Sequence, residues 1–140
     1  MTEIKLFFLL VLYTLEGVSY GWVVGLPLMF LTFLAIILKN PFNQQMSSSS
    51  RFLLLTPFFI TFLILLIGTI FAHRNSHTEA PKWPVYLLLG VASMHIPLGI
   101  YLVWKNKDYR WSIVAINLLQ IYISICSLFI AGMSVTGDWL

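Results

Sequence analysis

Four long apolar stretches, parted by three short polar ones, set out the chain. The first runs over about residues 5–39, the second over 52–72, the third over 83–104 and the fourth over 111–133. The last three each hold about the 20 apolar residues that a helix needs to cross the ~30 Å hydrocarbon layer of a bilayer. The pattern predicts an all-α integral membrane protein, a single polytopic domain over 1–140 with four transmembrane helices in an antiparallel bundle. The first stretch is too long for one straight crossing. A helix from Ile4 to Lys39 would reach about 54 Å at 1.5 Å per residue. Pro27 removes an internal hydrogen bond and the glycines before it weaken the turns, so the expectation is a long first helix kinked between Gly17 and Pro27. Residues 6–15 are apolar on every side, which excludes a helix lying half in water. Their charged start and apolar core also fit a signal peptide, and Tyr20 and Trp22 suit a membrane interface. Whether residues 1–19 span, re-enter or project is therefore open.

The polar breaks are NPFNQQMSSSSR, HRNSHTEAPK and the turn KNKDYR. Trp83 and Trp104 bracket the third span, as aromatic residues do at the two headgroup regions. Composition strengthens the reading: 59% of residues are hydrophobic and only 9% charged, against about a quarter charged in soluble domains. The mean hydropathy is +0.90. A net charge of +3 spread over loops and ends serves orientation and makes nucleic-acid binding an unsuitable role. With four spans, Lys39, Arg51, Lys105, Lys107 and Arg110 share one side, against Lys5, Arg74 and Lys82. Loops 40–51 and 105–110 are accordingly expected in the cytoplasm, with the chain in the plasma (inner) membrane. A fifth crossing by the N-terminal piece would only widen that bias.

Few residues carry chemistry. Gly17, Gly21 and Gly25 recur every four residues, a small-residue groove that lets another helix approach closely. On the fourth span Asn117, Gln120, Ser124 and Ser127 draw one polar stripe on an apolar helix, which must face another helix, another subunit or a wet cavity; helix packing is the preferred reading. His95 lies near the middle of the third span, followed by Pro97. A ring at that depth is a candidate haem ligand or a wall of a quinone pocket, or else it hydrogen-bonds a neighbouring helix, for example at the carbonyl that Pro97 leaves free. Haem held between two histidines needs a second one at similar depth, and His73 and His77 fall in the external loop. Their i, i+4 spacing suits zinc, yet Glu79 is the nearest third ligand and no metal is expected. Glu16 is placed at the interface, and Cys126, the single cysteine, packs as a small apolar side chain.

No catalytic set, phosphate-binding loop or cysteine cluster is present, so neither an enzyme nor a cofactor is read from the sequence. In size and threading the chain resembles the small four-span subunits that bacterial multi-protein systems, including defence and secretion systems, use as membrane anchors or sensors. That resemblance implies a non-enzymatic, oligomerising subunit that docks a cytosolic protein through Lys39, Arg51, Lys105, Lys107 and Arg110. The alternatives are a redox anchor built on His95, and a small oligomeric channel or transporter using Glu16, His95 and the Asn117/Gln120 stripe.

Overall fold

The computed structural model describes residues 3–38, 48–73 and 81–137, and these are helical almost throughout. The helices are α1 (Glu3–Tyr20), α2 (Trp22–Leu38), α3 (Ser48–Ile70), α4 (Trp83–Ser93), α5 (His95–Lys105) and α6 (Arg110–Thr136), with a 3-10 turn at Lys107–Tyr109. Two segments, Trp83–Lys105 and Lys107–Thr136, are long and apolar enough to cross a membrane. There are three if α1 and α2 count as one broken span; the apolar part of α3, Leu54–Ile70, is shorter. The fold is consistent with a membrane protein.

The expected long, kinked first helix is instead two helices. They meet at Gly21 and diverge by 89°, far more than the bend a proline introduces within a continuous helix. The break precedes Pro27, which lies in the second turn of α2. The third stretch is also interrupted, at Met94 between α4 and α5. Here the cause is Pro97: it has no N–H to offer the Ser93 carbonyl four residues earlier, and its ring crowds that turn. α4 ends at Ser93. The second stretch begins at Ser48, not at 52, so Arg51 belongs to a helix and Pro57 falls in its third turn.

The 27-residue α6, about 40 Å long at 1.5 Å per residue, is the axis of the molecule and packs against each of the other five helices. α3 runs parallel to it: Leu54 meets Ile113 near one end, and Gly68 meets Ala131 near the other. α2 runs antiparallel to it in constant register. Gly25 faces Tyr122, Thr32 Oγ1 donates to the Ala115 carbonyl at 3.1 Å, and Ser112 Oγ of α6 donates to the Ala35 carbonyl at 2.8 Å. α1 covers the other half of α6. Its Leu6 and Leu10 bury against Leu65 and Ile130, and Phe7 sets its edge on Phe62 at 5.4 Å. The main core lies where α3, α4 and α6 meet, around Ile64, Leu88 and Val135.

The tightest approach is at Gly68. A Cβ there would lie 2.6 Å from the Ala131 Cβ and 2.9 Å from its Cα, so only glycine lets α3 and α6 cross at this distance. α6 ends at Gly137, whose φ of +78° turns the chain out of the helix while its N–H closes on the Met133 carbonyl at 2.9 Å. Such a left-handed cap favours glycine. The His73 N–H donates to the Ser134 carbonyl at 2.9 Å, tying the end of α3 to the same place.

Candidate functional site

The polar stripe of α6 is longer than its four sequence-predicted members. Asn117, Gln120, Ser124, Ser127 and Ser134 are all buried, as is Ser112 off the stripe toward α2. The two outlying serines are satisfied. Ser112 Oγ donates to Ala35 of α2, and Ser134 Oγ donates to the Gly68 carbonyl of α3 at 3.1 Å. Ser127 Oγ turns back to the Ile123 carbonyl at 3.0 Å, the back-bonding that small hydroxyls use inside helices. Thr14, Thr61 and Thr69 do the same on α1 and α3.

The middle of the stripe differs. Asn117 Nδ2, both polar atoms of the Gln120 amide and Ser124 Oγ have no hydrogen-bond partner among the described residues, and neither does Nε2 of His95. These side chains are 9%, 2%, 3% and 5% exposed in that order. Leaving such a group buried and unpaired costs about 1–3 kcal/mol. The cluster is therefore a destabilised spot in an otherwise satisfied bundle.

His95 reaches it because the break at Met94 starts a new helix there. Its Nδ1 lies 3.2 Å from the Ala92 carbonyl; a carbonyl only accepts, so this contact places a hydrogen on Nδ1. The Pro57 carbonyl of α3 also faces the ring. The helix contact imagined at the carbonyl freed by Pro97 is thus replaced by one at Ala92. Two cavities flank the histidine, both between the α4–α5 segment and α6. One of about 510 Å³ runs from Trp104 and Arg110 up to His95, Gly99 and Asn117. The other, about 310 Å³, is walled by His95, Ser93 and Ser124. The Asn117 amide lies over Gly99, 3.6 Å from where a Cβ would stand.

The remaining sequence-predicted residues lie elsewhere. The three glycines do not share one helix face: Gly17 is on α1, Gly21 is at the break and Gly25 is on α2. They pack inside the molecule. A Cβ at Gly21 would overlap the Tyr122 hydroxyl, which donates to the Gly21 carbonyl at 3.2 Å, and one at Gly17 would meet Cys126. Glu16 is exposed and Cys126 half-buried. Lys105, Lys107 and Arg110 are exposed around the 3-10 turn, beside Trp104 and Trp111. Lys39, His77, Glu79 and the Arg51 side chain lie outside the described residues. Among the described residues no group of three or more His, Cys, Asp or Glu side chains could hold a metal ion.

Sequence reasoning missed Gly68 and Ala131, two small residues in separate apolar runs. It also missed Ser134, seven residues beyond Ser127, which continues the stripe at helical spacing and could have been found by following it onward, and Ser112, which lies off the stripe toward α2. The architecture defines an all-helical chain whose two or three apolar helices suit a membrane. Compared with known proteins, it matches no family model, no curated protein and no solved structure.

Proposed function

We propose that the chain is a non-enzymatic membrane anchor or sensor subunit of a larger complex, with four passes through the plasma (inner) membrane. In this reading the α1–α2 pair is one broken span, and α3, the α4–α5 segment and α6 are the others. The observation that carries it is the basic turn. Lys105, Lys107 and Arg110 stand exposed within the six residues 105–110, where the two longest apolar segments join. Trp104 and Trp111 flank them, 70% and 82% exposed, at the depth where tryptophan favours the headgroup region. The N-terminal part of α3 and the C-terminal end of α2 come to the same end of α6 as this turn. A basic edge on the cytoplasmic side suits an acidic surface of a soluble protein.

The turn is also the direct start of α6, the helix that all others touch. A change in packing around α6 would alter what the turn presents, which is the mechanism of a sensor: a shift between packings of similar energy, biased by a ligand or by the membrane. Self-association stays part of this reading, through surfaces other than the glycines, which Tyr122 and Cys126 occupy. The test is replacement of Lys105, Lys107 and Arg110 together by Ser. The soluble partner that co-purifies with wild type from native membranes is expected to be lost, with the elution volume of the detergent-purified particle unchanged. Undiminished co-purification would reject the docking role.

A further inference from the structure

We infer that the cleft between α5 and α6 is a lateral binding site for a neutral, membrane-soluble molecule of the quinone or quinol class, its ring at His95 and Asn117 and its aliphatic tail along the groove toward Trp104. Three observations carry this. The larger cavity, about 510 Å³, lies within the 300–1,000 Å³ of small-molecule sites. Between Trp104 and Arg110 at one end and His95 and Asn117 at the other its walls are aliphatic or glycine, and Ile96, Ile100 and Leu118 at its rim are exposed on the outer surface of the bundle; an occupant therefore enters sideways, out of the lipid. At its inner end stand Asn117 and His95, and His95 also walls the second cavity with Ser124. Each of the three is at least nine-tenths buried and holds a polar atom without a partner among the described residues.

The unpartnered atoms fix the chemistry of the head. They include the donor Asn117 Nδ2 and the hydroxyl of Ser124, which both donates and accepts. Gln120 lines neither cavity and takes no part in the site. Matching Asn117 and Ser124 takes a head whose oxygens accept as carbonyls and donate as hydroxyls. Among the described residues the only charged side chain lining either cavity is Arg110, at the far end of the groove, so the head is uncharged. An acyl chain alone would fill the groove and leave every one of these atoms unpaired.

The proposal goes beyond the anchor reading, and its test uses the isolated chain with no protein partner, so either can fail without the other. Protein purified in detergent is titrated with decylubiquinone and with decylubiquinol, and tryptophan fluorescence is followed, since Trp104 lines the groove. Saturable quenching is expected in wild type. Asn117→Leu is expected to weaken binding at least tenfold while the protein elutes as wild type, because it removes an unpaired amide. Ile100→Trp, a change at an exposed position on the rim, is expected to block binding without touching the polar end, and decides the matter alone if Asn117→Leu does not fold. Oleic acid is expected not to compete. Quenching that never saturates, equal affinity in the variants that fold, or full displacement by oleic acid would each overturn the assignment.

Discussion

α6 presents two contrasting faces. Toward α3 it packs as closely as two backbones can, with Ala131 against Gly68 and the Ser134 hydroxyl closed onto the Gly68 carbonyl. Toward α5 it leaves two cavities walled in part by Asn117 and Ser124, with His95 opposite, and each of these holds a polar atom with no partner among the described residues. Both faces belong to one helix and draw on the same residue types, so composition does not separate them. What separates them is whether a neighbouring carbonyl comes within reach. Where helices touch at a glycine, hydroxyls find backbone acceptors. Beside the two cavities on the α5 side, Asn117 Nδ2 and Ser124 Oγ find none. Proteins that satisfy their local rules in most places and break them in one place commonly do so at a functional site, and here that place is the α5 side.

If the α3 face builds the fold, the largest effect belongs to Gly68→Leu. Overpacking a close-packed site costs typically about 1–3 kcal/mol. Here the obstacle includes the Ala131 Cα, which is backbone and cannot rotate away, so a loss at the upper end, about 3 kcal/mol, is expected. It should appear as an aggregated elution profile or a strongly lowered melting temperature in detergent. A melting temperature equal to wild type would show that α3 and α6 do not meet at Gly68 and would erase the contrast.

The contrast was only half legible from sequence. Apolar runs of about 20 residues announce helices whatever their neighbours, which is why the all-helical class and the apolar segments could be read directly. The stripe at 117, 120, 124 and 127 follows from helical spacing in the same way. Which of its members are satisfied depends on where carbonyls of α2 and α3 fall, a property of tertiary register that no local pattern encodes. The break at Met94 could have been anticipated from Pro97, since a proline frees the carbonyl four residues before it. The break at Gly21 could not be placed so well, because three glycines and Pro27 each offered a weak point within ten residues. The glycine repeat drew notice by its regularity, yet the closest helix crossing uses Gly68, an isolated glycine with nothing periodic about it.

At Gln120 the expected sign reverses. Gln120→Leu replaces an amide whose two polar atoms lack partners among the described residues with an apolar group of similar volume. Removing a buried unpaired polar group recovers its desolvation penalty, about 1–3 kcal/mol, so the melting temperature of the ligand-free protein should rise. Destabilisation would mean that the amide is well satisfied where it stands, and the middle of the stripe would then be an ordinary seam like its Ser134 end.

The smallest effect sharpens the comparison most. Ser134→Ala deletes one hydroxyl from the satisfied face, where the bond to the Gly68 carbonyl measures 3.1 Å, and changes volume very little. Interhelical hydrogen bonds in membranes average about 0.6 kcal/mol, so a small drop in melting temperature is expected, opposite in sign to Gln120→Leu. A loss several times larger would show that the hydroxyl, not the glycine, holds α3 to α6. A gain would place Ser134 in the same class as Gln120, and the division of α6 into a satisfied and an unsatisfied face would no longer stand.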